Sequence, residues 1–279
     1  MDINSLDEVA KHYVSSMPAV VYKLQEALRD EDMTFDDIAE IISGDPGLAV
    51  RLLKIVNSPF YGLDSKVDTI SHALSVAGVD ELNYLVISSV LVHQFKDLSE
   101  EFVSINSFWR HNIATGVIAR EIAMLVEDSS PERFYLAGML HDIGSLVIFN
   151  LLPDASKEVI AKCRESNNPL YQEETKLIGF NHMDVGSRLL NAWKLPENLV
   201  AAAANHHEPF QGKEFSFEGG VIHLADSVAH ILEMGDSGEP YIPMMYKKVL
   251  DELKLEENFW EPIEEKIREL YNDAVNTYL

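Results

Sequence analysis

An all-α fold is predicted for this chain of 279 residues by three observations. Apolar residues recur at intervals of three and four along nearly its whole length, the spacing that places them on one face of a helix. Helix-starting and helix-stopping residues punctuate those runs. The strict apolar/polar alternation of a half-buried strand is not found, nor is an internal repeat.

The elements follow in order. Ser5 ahead of Leu6-Asp7-Glu8-Val9 predicts a first helix with an acidic opening turn, and a second begins at Pro18 with Val21, Leu24, Ala27 and Leu28 on one side. Thr34 with Asp37 resembles a capping box before Ile38, Ile41 and Ile42. Asp45-Pro46 opens the next helix, an N-cap followed by proline at the first helical position, and Asn57-Ser58-Pro59 closes it. After the turn Phe60-Tyr61-Gly62, Thr69 caps a helix that Gly78 stops, and another runs from about Asp80 to Phe95. The more polar residues 96–106 read as a connection.

A helix from Phe108 through Leu125 comes next. An apolar stretch from Phe134 through Phe149 reads as a single helix buried nearly all round. Helices over about Ala155–Cys163, from Asn181-His182 to Trp193, and over the alanine-rich Leu199–His207 follow, with Asn167-Asn168-Pro169 and Glu208-Pro209 as breaks. A loop to Gly219-Gly220 leads into a last core helix, Val221–Met234, and amphipathic helices end the chain. The expected organisation is an N-terminal helical subdomain over 1–105, a second over 106–235 and a C-terminal helical extension over 236–279.

The formal charge of −24 opposes a broad basic grip on nucleic acid or anionic lipid, so neither is an expected partner. One cysteine, Cys163, excludes an internal disulfide framework, and no segment reaches the roughly 20 apolar residues expected of a membrane span. The Met1-Asp2-Ile3-Asn4 start has no secretion-signal pattern, which leads to a cytoplasmic expectation.

The chemistry concentrates on His141-Asp142, inside the apolar stretch, with His111, His182, His206-His207 and Asp226 in or at the ends of other helices. A His-Asp pair alone is close to a chance occurrence. Its setting carries the weight, because isolated ionisable groups are costly among apolar helices while one cation compensates several of them. The candidate ligands are nitrogen and oxygen without thiolate, a set suited to one or two divalent ions of Fe, Mn, Zn, Co or Ni. Neighbours on a helix point about 100° apart, so His141 and Asp142 share an ion only if it lies beside the helix between them. A carboxylate such as Asp142 can bridge two ions, and metal-activated water makes phosphate-ester hydrolysis the natural reaction. Arg188 and Lys194 are weaker candidates for meeting a phosphate, and His223 and His230 read best as ordinary hydrogen-bonded histidines.

The order His111, His141-Asp142, His206 or His207, Asp226 resembles the HD metal-dependent phosphohydrolase superfamily. That resemblance implies an HD-like helical bundle with His111, His141, Asp142 and Asp226 as ligands of a first ion. His182, His206 and His207 match positions that supply a second ion in dinuclear members. Met17-Pro18, Asp45-Pro46-Gly47-Leu48, Leu52 to Ser58, Ala73 to Gly78, Trp193-Lys194-Leu195-Pro196 and His206-His207-Glu208-Pro209 are similar to the HDOD family, the HD-related output domain, over about residues 15–235.

Family membership implies a signal-transduction module that works through a signalling protein partner or a small phosphate ligand, oligomeric assembly being compatible with it. Its input would then come from another chain or a small ligand. The alternative is a metal-dependent phosphohydrolase, a phosphodiesterase acting on a nucleotide or cyclic nucleotide. Two departures separate the chain from the catalytic cyclic-dinucleotide branch. Ser145 stands where that branch has lysine, and Met183-Asp184-Val185-Gly186 follows His182 in place of Gly-Tyr-Pro. A missing cation removes a phosphate clamp.

Overall fold

The computed structural model describes residues 18–30, 32–61, 63, 65–95, 103–211 and 214–279. The helix expected after Ser5, the connection over 96–102 and Gly62 lie outside the described residues. The regular structure described is helical, apart from a two-residue antiparallel ribbon, β1 (Phe210–Gln211) paired with β2 (Glu214–Phe215). Strands this short leave no alternation for a sequence pattern to register.

Two compact units divide the described residues. One draws on 16–95 together with 268–279 and holds α1 (Ala19–Ala27), α2 (Phe35–Ser43), α3 (Pro46–Val56), α4 (Ile70–Ala77), α5 (Val79–Gln94) and most of α15 (Glu264–Tyr278). Its helix starts form as their cap residues dictate. Thr34 and Asp37 make the reciprocal capping box, Asp45 Oδ1 accepts from Leu48 N at 3.0 Å, and Thr69 Oγ1 accepts from His72 N at 3.1 Å. Asn57 does more than end α3. Its amide donates to Leu53 O and Val67 O at 2.7 and 2.6 Å and accepts from Val67 N at 2.8 Å, which pins the loop ahead of α4. Lys54 Nζ reaches the last carbonyls of α15, Asn276 O at 2.8 Å and Thr277 O at 3.1 Å, a cation placed at a helix C-terminus.

The other unit lies within 96–267. It contains α6 (Ile105–Leu125), α7 (Glu132–Leu140), α8 (Ile143–Leu151), α9 (Pro153–Ser166), α10 (Leu170–Ile178), α11 (His182–Ala192), α12 (Glu197–Asn205), α13 (Phe217–Ile231) and α14 (Lys247–Leu253). The segment 236–279 is thus shared, its first part in this unit and 268–279 in the other. Helix α6 packs against α7 and α13, α8 against α11, and α12 against α7, α11 and α13, so the six helices that carry or adjoin the histidines and aspartates surround one interior.

Two close backbone approaches make that interior possible. A Cβ on Gly138 in α7 would stand 2.5 Å from Gly116 N and 2.6 Å from Gly116 Cα in α6. A Cβ on Gly144 in α8 would collide with the carbonyl oxygen of His182 and stand 2.7 Å from Gly186 N in α11. Only hydrogen fits at either position.

Three expectations are corrected here. The apolar stretch is two helices, because the chain breaks at Asp142 (φ −100°, ψ 11°) between α7 and α8. Helix α10 falls in a stretch for which no helix was expected. Gly219 and Gly220 lie inside α13, which starts earlier than expected because Ser216 caps it through Gly219 N at 3.1 Å. On membranes, residues Glu132–Leu151, with mean hydropathy 1.4, do reach the length and apolarity of a span, but 89% of the most apolar window is buried within the fold.

Gly138→Ala and Gly144→Ala are each expected to lower the free energy of urea unfolding by about 2–3 kcal/mol, the usual cost of overpacking. Midpoints unchanged in both variants would contradict the close approaches.

Candidate metal centre

The candidate ligands arrive from helix ends, where local hydrogen bonds orient them. His141 ends α7, and its Nδ1 donates to Gly138 O at 2.7 Å, one of the carbonyls that a helix C-terminus leaves without a partner. His206 repeats this just past α12, with Nδ1 donating to Ala203 O at 3.0 Å. His182 opens α11 behind the capping box of Asn181 and Asp184, and its Nδ1 lies 2.7 Å from Glu174 Oε2, which also accepts from His182 N at 3.0 Å. A carbonyl can only accept, so Nδ1 carries the proton in His141 and His206, and the carboxylate holds the same proton on His182. Nε2 is left as the ligating atom in all three.

Those three atoms converge on Asp142. Its Oδ2 is 3.4 Å from His141 Nε2, and its Oδ1 is 3.4 Å from His206 Nε2 and 3.5 Å from His182 Nε2. The two Nε2 atoms of His182 and His206 are themselves 3.4 Å apart. Ligands about 2.0–2.1 Å from a tetrahedral zinc stand roughly 3.3–3.4 Å from one another, so the spacing suits a single ion. On the other side, Asp226 Oδ1 in α13 lies 3.0 Å from His111 Nε2 in α6, 3.1 Å from His230 Nδ1 and 3.9 Å from His141 Nε2.

Three overlapping groups have ligand atoms within 4.8 Å of one another: Asp142, His182, His206 and His207; His111, His141 and Asp142; His111, Asp226 and His230. Asp142 belongs to two of them. His141 Nε2, Asp142 Oδ1 and Asp226 Oδ1 are buried without a hydrogen bond, the condition a cation would relieve. The donor set and these orphaned atoms fit a divalent cation.

The electrostatics follow from burial and crowding. Burial pushes the Asp142 carboxyl up, but His141, His206 and His182 together overturn this and hold it well below the usual carboxylate range. Asp226 is likewise held well below it, by His230 and His111 against burial. Burial lowers His111 and His141, and burial with the charges of His206 and His182 depresses His207 strongly. For His182, burial is outweighed by Glu174 and then Asp142, which raise the imidazole to about 9.

The seven histidines and aspartates singled out in the sequence therefore lie together. Arg188 and Lys194 do not join the groups. On α11, Arg188 is about 9 Å further along the axis than His182 and about 240° around it. Lys194 is exposed in a left-handed turn beyond that helix, with φ 57°. His223 keeps to the ordinary reading, its Nδ1 donating to His206 O at 2.8 Å and its Nε2 accepting from Tyr246 N at 3.3 Å. His230 departs from that reading by joining Asp226. Glu174 was missed with its helix, although an acid spaced four residues from both Leu170 and Ile178, on what becomes the buried face of α10, was the available signal.

Residues 14–209 match the HDOD domain. The chain belongs to the HDOD family. Asp226 and His230 lie beyond the matched residues. Among solved structures, an HDOD domain protein of unknown function from Geobacter sulfurreducens is 22% identical, with a TM-score of 0.75 over 100% of this chain and 99% of that one. A Shewanella amazonensis protein named "Putative phosphohydrolase" is 22% identical, also with a TM-score of 0.75, over 97% of each chain. At that identity both show the HDOD fold alone. An uncharacterized protein of Treponema pallidum is 25% identical over 232 residues, 82% of this chain and 44% of its own length. The chain spans less than half the length of the curated relatives it matches.

Glu174→Gln is expected to weaken binding of Zn²⁺ or Mn²⁺ about 10–100-fold in competition with a chromophoric chelator, the usual cost of losing a partner that orients a ligating histidine. Ligation through His182 Nε2 needs the neutral ring, whereas the metal-free protein keeps it charged up to about pH 9. Calorimetry in buffers of differing ionisation enthalpy should therefore detect proton release on metal binding at pH 7, with affinity rising as pH climbs toward 9. Proton-neutral binding at pH 7 would remove His182 from the ligand set.

Proposed function

We propose that this HDOD protein is a signal-transduction module built on a metal site, holding one or two divalent ions of Fe, Mn, Zn, Co or Ni. The two-sided environment of Asp142, with His182 and His206 at Oδ1 and His141 at Oδ2, carries the reading. Asp142, His182, His206 and His207 would hold one ion, and His111, His141, Asp142 and Asp226 the other. When bound, such an ion supplies a Lewis acid and an acidified water.

The protein's own groups hold protons and orient rings. Gly138 O, Ala203 O and Glu174 keep the Nδ1 protons of His141, His206 and His182 in place and aim each Nε2 inward. Ser145, on α8 three residues beyond Asp142, brings a buried neutral hydroxyl without a hydrogen-bond partner where a phosphate clamp would need a cation. That feature supports a regulatory output, passed to a signalling protein or controlled by a small phosphate ligand. The second reading is hydrolysis of a phosphate ester, favoured by one carboxylate facing two candidate ion positions.

Elemental analysis of protein purified without an affinity tag or added metal is expected to find at least one divalent ion per chain in the wild type and less than about a tenth of that in Asp142→Ala. A metal-free wild type that also refuses Fe, Mn and Zn under reducing conditions would overturn both readings. If metal is present, turnover of bis(p-nitrophenyl) phosphate that disappears in Asp226→Ala favours the hydrolase, and metal without turnover favours the module.

A further inference from the structure

Beside the metal groups, within the same unit, lies a cavity of about 670 Å³, in the size range that encloses a small organic ligand. It meets those groups at His207, which lines the cavity and whose ligand atom lies within 4.8 Å of those of Asp142, His182 and His206. Tyr171 stacks on His207 with ring centroids 5.0 Å apart and planes 14° from parallel, and Tyr246 stacks on His223 at 4.5 Å and 24°. The rest is closed largely by the strap Glu239–Tyr246, which runs without helix between α13 and α14 and carries Pro240 and Pro243.

Most polar groups of this wall are already engaged within the protein. Tyr241 OH donates to Cys163 O at 3.1 Å, and Tyr171 OH accepts from Gln172 Nε2 at 3.1 Å. Glu239 Oε2 accepts from Leu170 N at 2.7 Å, and its Oε1 is enclosed by protein, out of a ligand's reach. His223 donates from Nδ1 to His206 O and accepts at Nε2 from Tyr246 N, which leaves a ligand nothing to bond. Apart from Asn167, exposed at the end of α9, the accessible surface is therefore apolar. Ile242, Met244 and Tyr246 are 60%, 77% and 38% exposed, and Pro169, Pro240 and Pro243 complete it. Among the described residues that line the cavity, none is lysine or arginine. A second phosphate or a carboxylate placed here would find no such cation to offset its lost hydration.

A place for an ion and room for an organic group thus adjoin each other at His207. We propose, building on the metal reading, that the cavity holds the organic group of a phosphate ester whose phosphate lies at the Asp142 ion site, and that this group is uncharged and aromatic. The ring of Tyr246 and the thioether of Met244 favour an aromatic partner over an aliphatic one. For a sensor and a hydrolase alike, the ligand class narrows to esters with one phosphate and a neutral ring. A ligand with a second phosphate is disfavoured, because the cavity wall that would receive it has no lysine or arginine.

The test uses the full chain loaded with Zn²⁺ and calorimetry with three probes that cannot be hydrolysed: phenylphosphonate, methylphosphonate and 4-phosphonobenzoate. Phenylphosphonate is expected to bind saturably and at least about tenfold more tightly than methylphosphonate, the gain from burying one ring. The carboxylate of 4-phosphonobenzoate would enter the cavity, so this probe is expected to bind at least about tenfold more weakly than phenylphosphonate. The double variant Ile242→Ser, Met244→Ser changes two exposed positions and is expected to bring the phenyl-to-methyl affinity ratio below about threefold. A wild-type ratio near one, a carboxylate probe that binds as well as phenylphosphonate, a ratio unmoved in the double variant, or no binding of any probe would each overturn the proposal. Failure of the metal reading is told apart from failure of the cavity: a chain that takes up no Zn²⁺ overturns both, whereas a chain that loads Zn²⁺ and does not distinguish the probes overturns the cavity assignment alone.

Discussion

Asp142 has to stay ionised in the interior of a helical protein, and much of the surrounding architecture follows from that. A carboxylate there is tolerable only where positive charge or donors compensate it at once. His141, His182 and His206 meet it on both oxygens, and each is supplied by a different helix end. The break between α7 and α8 is part of the same solution. A continuous helix would turn His141 and Asp142 about 100° apart, whereas the break frees Asp142 to face α11 and the end of α12.

Backbone proximity is what lets those helices supply their groups. Gly144 brings α8 against the first turn of α11, so that Asp142 and His182 stand on either side of the contact. Gly138 lets α7 lie against α6, where His111 resides, and its carbonyl then orients His141. One glycine thus serves packing and ligand orientation together. The tethers on Nδ1 are equally economical: unpaired carbonyls at helix C-termini need donors, and the histidines provide them while presenting Nε2 to the interior.

The strap after α13 adds a second level of connection. Tyr246 N–H fixes His223 as an Nε2 acceptor, so its Nδ1 must donate to His206 O. The position of the strap and the backbone that carries His206 are thereby linked through one imidazole of defined tautomer. His207, the next residue, stays in the Asp142 group with His182 and His206 and also stacks on Tyr171.

How much of this was legible from residues alone depended on the range of the interaction. The capping box at Thr34, the Asn181 cap, the Asp45-Pro46 start and the Gly78 stop are written within a few residues, because each is a local exchange of backbone hydrogen bonds. The all-α class, the ligand types and the resemblance to the HDOD family were readable in the same way. Helical periodicity says that a face is buried but not which helix it meets. The break at Asp142 hid inside a run apolar enough for one helix, and Glu174 hid in a helix whose buried face contains acids. Long-range packing alone set the convergence on Asp142, the recruitment of His230 to Asp226 and the protonation of His182, since each depends on the distance between groups far apart in the chain.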